Sequence, residues 1–272
     1  MNNLPIIEIS KGYKINYIEK GKGRNLVFIH GWLGSSWVFE TQIEYFSKNY
    51  RAIAIDHLGH GKSDKPESES YNLEDLAKFL DEVISKIIGN EKIILLGHSM
   101  GGMIAQIYAT TPILAKRLDG LVLMSTTPKY HNPIVDQTKD AILSGQINLL
   151  DENIVKTVII NLMFNGKYQK AKPDFINEFV RKTLEMDEIV ALRTFKSVLN
   201  CDILDKIKDI TVPTLILTSD KDTMIFHEDS ELMKEKIPNS KLIKLSPKIG
   251  HYIQYEARDD YHKAVEDFII TI

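Results

Sequence analysis

A serine between glycines follows a short apolar run in the stretch IILLGHSMGG, residues 93–102. Gly97, Ser99 and Gly101 fit the pattern Gly-x-Ser-x-Gly, in which a strand turns sharply into a helix and exposes the serine. The serine of such a turn has a strained backbone, and the flanking glycines leave room where a Cβ would clash. The stretch therefore predicts that Ser99 is a nucleophile, at a helix N-terminus whose free N–H groups favour negative charge.

A serine hydroxyl is a poor nucleophile until a base takes its proton and a third group orients that base. Asp220 and Asp222 both follow the apolar run TLILTS, and either carboxylate suits the third role. The chain has eight histidines as candidate bases. The residue types present thus favour acyl transfer through a serine, with the choice of acid and base open at this point.

Elements that could position these groups alternate regularly along most of the chain. The leucine and isoleucine spacing of 73–88 predicts a helix capped by Asn72. Other helices are predicted within 36–48 and at 100–111, 229–236 and 254–270. Short apolar runs predict strands at 6–9, 13–19, 25–30, 51–56, 91–96, 120–125, 212–219 and 240–246. This alternation predicts an α/β fold with a mostly parallel eight-stranded sheet, helices on both faces and an antiparallel hairpin at one edge.

Residues 127–206 interrupt the alternation, because they contain helical apolar stripes and no convincing strand. One stripe includes Ile154, Val158 and Leu162, and with Phe164 we expect it to give an apolar pocket. We therefore predict a core domain of residues 1–126 and 207–272, with 127–206 inserted as a helical cap. Ordinary packing helices are the alternative for this segment.

Composition narrows the classes of function. The 272 residues are 43% hydrophobic and 26% charged, with a net charge of −3, which is typical of a globular protein without a nucleic-acid surface. We find no signal-peptide pattern, no apolar run long enough for a membrane helix, and a single cysteine, Cys201. We therefore expect a cytoplasmic protein, a monomer or homodimer, with no nucleic-acid or membrane partner, no metal and no cofactor.

Five stretches in order resemble those of the α/β-hydrolase superfamily, and the resemblance covers essentially the whole chain. They are HGWLGSSW at 30–37, DHLGHGKSD at 56–64, GHSMGG at 97–102, TSDKD at 218–222 and KIGHYIQYE at 248–256. Each stretch alone is weakly specific, but the set in this order is highly specific. The resemblance implies the α/β-hydrolase fold with a helical cap.

The superfamily places its catalytic residues in the order nucleophile, acid, histidine. The resemblance therefore implies Ser99 as nucleophile, Asp222 as acid and His251, in Gly-His, as base. Ser219 stands where the family's Gly-x-x-Asp has glycine, which still aligns the acid with Asp222 and leaves Asp220 as a solvated charge. Of the remaining histidines, we expect His262, in the middle of the last helix, to lie at the surface.

The resemblance also implies an oxyanion hole made of the backbone N–H groups of Trp32 and Met100. Gly31 would allow close approach of the backbone, and His30 would hold the loop. Gly97 and Gly101 support the turn around the nucleophile. The stretch 56–63 is expected to be a structural loop near the site.

The expected activity is hydrolysis of a small carboxylic ester or lactone through an acyl-serine, with perhydrolysis as a side activity. Haloalkane dehalogenases and epoxide hydrolases of the superfamily use an aspartate where Ser99 stands, which disfavours both. A carbon–carbon bond hydrolase or a menaquinone-pathway lyase is the main alternative, with Arg181 or Arg193 binding a substrate carboxylate. A prolyl aminopeptidase would instead use acidic cap residues, and a non-catalytic ligand receptor is the alternative from another class. The acidic candidates are Glu178, Glu185, Asp187 and Glu188.

Overall fold

The protein is built around one eight-stranded sheet, in a computed structural model that describes residues 5–246 and 249–272. Lys248, the first residue of the last motif stretch, and the first four residues of the chain lie outside the described residues. The strand order is β1-β2-β4-β3-β5-β6-β7-β8. The strands are β1 (Ile6–Glu8), β2 (Lys14–Lys20), β3 (Asn25–Ile29), β4 (Arg51–Ile55), β5 (Ile93–His98), β6 (Leu118–Met124), β7 (Thr214–Thr218) and β8 (Ser240–Lys244).

Strands β3 to β8 run parallel to one another. At one edge, β2 is antiparallel to β4, and β1 is antiparallel to β2. Every residue of β3, β5 and β7 is buried. Because successive side chains of a strand point to opposite faces, both faces of the central sheet are covered. These features confirm the predicted fold class. They also bring the loops after β3, β5 and β7 to one edge of the sheet, since parallel strands end on the same side.

Helices connect the strands at most crossings. Asn72 caps the helix Leu73–Ile88 by accepting the backbone N–H of Asp75 at 2.8 Å, as the sequence predicts. The core helices are α1 (Glu40–Phe46), α2 (Leu73–Ile88), α3 (Met100–Thr110), α4 (Pro112–Ala115), α11 (His227–Lys236), α12 (Ile253–Glu256) and α13 (Arg258–Ile270).

The chain between β6 and β7 is helical, and its one ladder contact among the described residues is an isolated bridge between Lys129 and Asp202. The last helix before Phe164 is not a continuous α-helix, because a π-helical turn spans Val155–Ile159 between the α-helical turns Glu152–Ile154 and Ile160–Met163. The segment contains α5 (Pro133–Leu143), α6 (Glu152–Ile154), α7 (Ile160–Met163), α8 (Gly166–Ala171), α9 (Pro173–Leu184) and α10 (Glu188–Leu199).

The π turn makes one sequence expectation wrong. Val158 is 48% exposed and does not belong to an inward stripe with Ile154 and Leu162. The predicted stripe assumes 3.6 residues per turn, and a π turn breaks that period.

The last predicted helix also differs, since Ala257, at φ −124° and ψ 44°, separates α12 from α13. His262 in α13 is buried, contrary to the surface position expected from sequence. Its ring stacks on Tyr45 with centroids 4.0 Å apart, so the apolar face of α13 includes it. Burial lowers the pKa of His262 to about 4.

In four further buried histidines, burial is the first cause of a lowered pKa. They are His30, His57, His60 and His98. An unfolded chain would titrate all five near their ordinary pKa of about 6.5. Below that pH these histidines bind protons in the unfolded state but stay neutral in the folded state, so acid favours unfolding.

We expect the free energy of unfolding to fall as the pH is lowered from about 6.5 to about 5, by about 1.4 kcal/mol per pH unit for each histidine that stays neutral. Denaturant titrations across this range measure the slope. His262→Phe, which keeps a ring against Tyr45, should reduce this slope by up to about 1.4 kcal/mol per pH unit, the contribution of one histidine. An unchanged slope in this variant would contradict the assignment of His262 as a buried neutral group.

Candidate active site

Ser99 lies in a sharp turn between β5 and α3. Its backbone has φ 55° and ψ −120°, a conformation that side chains other than glycine rarely adopt. A Cβ on Gly97 would lie 2.4 Å from the carbonyl oxygen of Gly101, and one on Gly101 would lie 2.4 Å from the carbonyl oxygen of Ile29. The turn therefore closes only with glycine at both positions, and it presents Ser99 at the carboxyl edge of the sheet.

Asp222 and His251 meet in the loops after β7 and β8. The Asp222 Oδ2 atom lies 2.8 Å from Nδ1 of His251, and the two side chains are 1% and 3% exposed. The other oxygen of Asp222 accepts the backbone N–H groups of Met224 and Ile225 at 2.9 Å and 3.0 Å. These N–H groups fix the carboxylate so that its free oxygen faces the imidazole.

Asp220, the other acid candidate, points away from this pair. It forms an ion pair with Lys244 at 2.8 Å near the surface, and that hydrogen bond lowers the pKa of Asp220. Ser219 occupies the position that the resemblance gives to glycine. Its hydroxyl donates to the carbonyl oxygens of Ile249 and Gly250 at 2.8 Å and 3.0 Å, and so joins the acid loop to the histidine loop.

A small cavity, called here the Ser99 cavity, has both Ser99 and His251 in its wall. Its volume is about 20 Å³, close to what one water molecule requires. No lysine, arginine, aspartate or glutamate is among its described lining residues. The wall consists of Gly31, Trp32, His98, Ser99, Met100, Met103, Tyr130, Met163, Phe195, Val198, Met224, Ile225, His251 and Tyr252.

The loop after β3 contacts the serine directly. A Cβ on Gly31 would lie 2.9 Å from Cβ of Ser99, so the backbone here approaches as closely as glycine permits. Among the described residues, the backbone N–H groups of Trp32 and Met100 have no hydrogen-bond partner within the protein, although both residues line the cavity. Buried N–H groups are nearly always paired, which makes these two suited to an oxygen atom of a bound molecule.

His30 holds this loop through both ring nitrogens. Its Nε2 accepts the backbone N–H of His57 at 3.1 Å, so Nδ1 carries the proton and donates to the carbonyl of Gly31 at 2.8 Å. His57 belongs to the stretch 56–63, where Asp56 accepts the backbone N–H groups of Ser36 and Lys62 at 2.6 Å and 2.9 Å. That stretch therefore braces the loop that carries Trp32.

His98 donates from Nε2 to the carbonyl oxygen of His251 at 3.0 Å, so its ring faces the histidine loop and not the serine hydroxyl. Burial, followed by the charge of His251, keeps the pKa of His98 well below its usual value. His131 and His227 lie beside Asp229 and Glu231, away from the cavity wall.

The helical segment between β6 and β7 holds the acid and histidine loops through its backbone. No side-chain pattern in the sequence predicts this role. The carbonyl oxygen of Met163, the last residue of α7, accepts the backbone N–H groups of His251 and Tyr252 at 3.0 Å and 3.3 Å. The preceding carbonyl, of Leu162, accepts the hydroxyl of Thr223 at 3.1 Å.

The residues that the helical segment contributes to the wall of the Ser99 cavity differ from those predicted from the sequence. Met163, Phe195 and Val198 line the cavity, whereas Ile154, Val158, Leu162 and Phe164 do not. Trp32 lines it as well, with its ring 5.0 Å from that of Phe195 and its Nε1 donating to the carbonyl of Ala191 at 2.9 Å.

The two arginines with a sequence-based role lie outside the cavity wall. Arg181 pairs with Glu178 and Glu185 on the exposed side of α9, and Arg193 donates to the carbonyl of Glu69 at 2.7 Å. Asp187 caps α10 through the backbone N–H of Val190.

Within residues 5–246 and 249–272, the side chains form no cluster of three metal-ligating groups, and no helix is long and apolar enough to cross a membrane.

A family model described as alpha/beta hydrolase fold matches residues 24–257. The chain is 28% identical over 296 residues to a proline iminopeptidase of Saccharolobus solfataricus, which covers 97% of this chain and 93% of that protein. It is 26% identical to a putative 2-succinyl-6-hydroxy-2,4-cyclohexadiene-1-carboxylate synthase of Bacillus subtilis, with 98% of each chain covered. The crystal structure of an enol-lactonase from Burkholderia xenovorans superposes with a TM-score of 0.88 at 18% identity, over 98% of this chain and all of that one.

The close approach of Gly31 to Ser99 leads to a test of the geometry. We expect Gly31→Ala to slow phosphonylation of Ser99 by a fluorophosphonate by about 10²-fold or more, because the added Cβ displaces the unpaired N–H of Trp32. Mass spectrometry of the adduct measures the rate. Gly166→Ala is the matched control, since a Cβ there meets nothing within 4 Å. Equal loss in both variants, or none in either, would contradict the proposed geometry.

Proposed function

Because the chain belongs to the alpha/beta hydrolase fold family, we propose that it is a serine hydrolase that cleaves small, uncharged carboxylic esters or lactones. The observation that carries the proposal is the buried contact of Asp222 with His251, which lies in the same cavity wall as Ser99. The fold alone supports many reactions, so the choice among them is argued from the site.

In the proposed reaction, His251 takes the proton of the Ser99 hydroxyl as its oxygen attacks the ester carbonyl carbon. The carbonyl oxygen becomes an oxyanion that accepts the backbone N–H groups of Trp32 and Met100. The intermediate collapses to an acyl-serine when His251 returns the proton to the leaving alkoxide. A water molecule, deprotonated by His251, then attacks the acyl carbon. The bond from that carbon to the Ser99 oxygen breaks, the acid leaves, and His251 passes its proton to the Ser99 oxygen to restore the hydroxyl. Asp222 orients the imidazole and stabilises its charged form throughout.

The walls of the Ser99 cavity support an uncharged substrate. Methionine and aromatic side chains supply most of the surface, and no lysine, arginine, aspartate or glutamate is among the described lining residues. An unpaired charge buried in such a wall costs several kcal/mol. The fold is also that of an enol-lactonase, an enzyme named for a cyclic ester.

We further propose that residues 127–206 act as a cap over the site. The Ser99 cavity, at about 20 Å³, holds about one water molecule, and α7 and α10 supply Met163, Phe195 and Val198 to its wall. An ester needs more room, so its entry requires these helices to move away from the sheet edge.

The alternative reactions need groups that the cavity wall lacks. A lyase or carbon–carbon bond hydrolase of the kind considered above would bind a carboxylate through Arg181 or Arg193, and both arginines are engaged elsewhere. An aminopeptidase would need a carboxylate near the substrate amine, but Glu178 and Glu185 pair with Arg181. The two unpaired N–H groups beside Ser99 suit an oxyanion that forms during a reaction, so they favour an enzyme over a receptor without turnover.

We expect steady hydrolysis of p-nitrophenyl acetate and butyrate by the wild type, and loss of activity by several orders of magnitude in Ser99→Ala. A panel of p-nitrophenyl esters, lactones and amino-acid naphthylamides compares the substrate classes. Preferential cleavage of naphthylamides would favour an aminopeptidase instead. Ligand binding without any turnover in the panel would favour a receptor.

We expect Asp222→Asn to lower kcat by about 10⁴-fold while the protein stays folded, because the amide no longer orients or stabilises the imidazole. Asp220→Asn serves as the matched control and should keep wild-type kcat. Circular dichroism checks the fold of both. Comparable losses in the two variants would reject Asp222 as the acid.

The uncharged wall predicts discrimination between acyl groups. We expect kcat/KM for p-nitrophenyl butyrate to exceed that for the p-nitrophenyl monoester of succinic acid by about 10²-fold or more, because the second carboxylate would be buried without a partner. Similar values for the two esters would show that a cation reaches the bound acyl group.

A further inference from the structure

A carboxyl group outside the proposed triad contacts the backbone beside His251. Glu256 is the last residue of α12, five positions after His251, and its Oε1 accepts the backbone N–H of Asn165 at 3.2 Å. The backbone N–H of Gly250 interacts with the same carboxyl group. One side chain therefore reaches both the residue before His251 and the junction between α7 and α8.

Gly250 shows how tightly these parts are packed. A Cβ on Gly250 would lie 2.8 Å from Oε1 of Glu256, 3.0 Å from the nitrogen of Asn165 and 3.1 Å from the carbonyl oxygen of Met163. Three polar groups thus converge where a side chain would stand. Together with the bonds from His251 and Tyr252 to Met163, they join residues 163–165 to residues 250–252.

We propose that Glu256 is a positioning residue, whose carboxylate holds the α7–α8 junction against Gly250 and so fixes His251 where it meets the Ser99 hydroxyl. This inference rests on the proposed serine-hydrolase function. A carboxylate accepts N–H hydrogen bonds about twice as strongly as a neutral group does. The tie is therefore strong when Glu256 is ionised and weak when it is protonated.

The surroundings of Glu256 place its ionisation in a pH range in which the protein can be assayed. Burial raises the pKa of Glu256 to about 7, and Asp222 adds to the rise, while the N–H groups of Asn165 and Gly250 and the charge of His251 oppose it. The charge of Glu256 also acts on Tyr168, whose pKa is raised by burial first and by Glu256 second. The ionised form, and with it the tie, therefore becomes dominant as the pH rises through about 7.

The variant Glu256→Gln keeps the shape and an acceptor oxygen but stays neutral at every pH. Asp259→Asn is the matched control, because it removes the same charge three residues later from a side chain that is 88% exposed.

The reaction to be measured is phosphonylation of Ser99 by a fluorophosphonate. The Ser99 oxygen forms a bond to phosphorus, fluoride leaves with the P–F electron pair, and the hydroxyl proton passes to His251.

We expect the wild type to be phosphonylated about tenfold faster than Glu256→Gln at about pH 8.5 and at nearly the same rate at about pH 6. Asp259→Asn should follow the wild type throughout. A ratio between wild type and Glu256→Gln that does not change with pH would overturn the proposal, because a packing role does not titrate. A ratio of one at every pH would overturn it as well.

Amide hydrogen exchange measures the tie without relying on catalysis. At about pH 8 we expect faster exchange at 160–166 and 249–253 in Glu256→Gln than in Asp259→Asn, with the difference lost at about pH 6. Equal exchange in the two variants would reject the tie. If the wild type is never phosphonylated but the exchange difference is present, the hydrolase proposal fails and the structural tie stands.

Discussion

The buried contact between Asp222 and His251 is the interaction on which the arrangement of the site depends. It joins the loops after two neighbouring strands, and both side chains are almost completely removed from water. In such surroundings, loss of one partner leaves the other as an uncompensated polar group, which is strongly unfavourable. The backbone N–H groups on Asp222 and the hydroxyl of Ser219 therefore serve this contact, because they bring the two loops into register.

The sheet alone does not complete the site. Ser99, Asp222 and His251 all follow parallel strands, yet the backbone of the histidine loop is held by the carbonyl oxygen of Met163 and by the carboxyl group of Glu256. Trp32 is likewise anchored from α10 through its indole N–H. The helical segment thus helps to determine the position of the proposed reactive groups as well as the shape of the cavity, so the cap movement proposed above would also change the alignment of His251.

Much of this was accessible from sequence because it rests on local rules. The glycines at 97 and 101 are required by the backbone of Ser99, and the apolar runs correctly gave the parallel strands that end at a common edge. The pairing of Asp222 with His251 followed from motif order. What sequence missed depends on tertiary contacts: His262 is buried because Tyr45 offers a ring to stack on, and the wall formed by Phe195 and Val198 depends on how α10 packs. Glu256 carried no signal by itself, since a glutamate near a helix end is usually solvated.

The π turn at Val155–Ile159 has a consequence for how this site could change. Such a turn holds one more residue than an α-helical turn. Deletion of a single residue within it would restore an α-helical turn and leave the direction of α7 nearly unchanged. The carbonyl groups of Leu162 and Met163 would then still face Thr223 and His251, whereas deletion of a second residue would turn them away by roughly 100°. Backbone length at this one point, independent of any side chain, can thus shrink by one residue before the contacts on the histidine loop are lost.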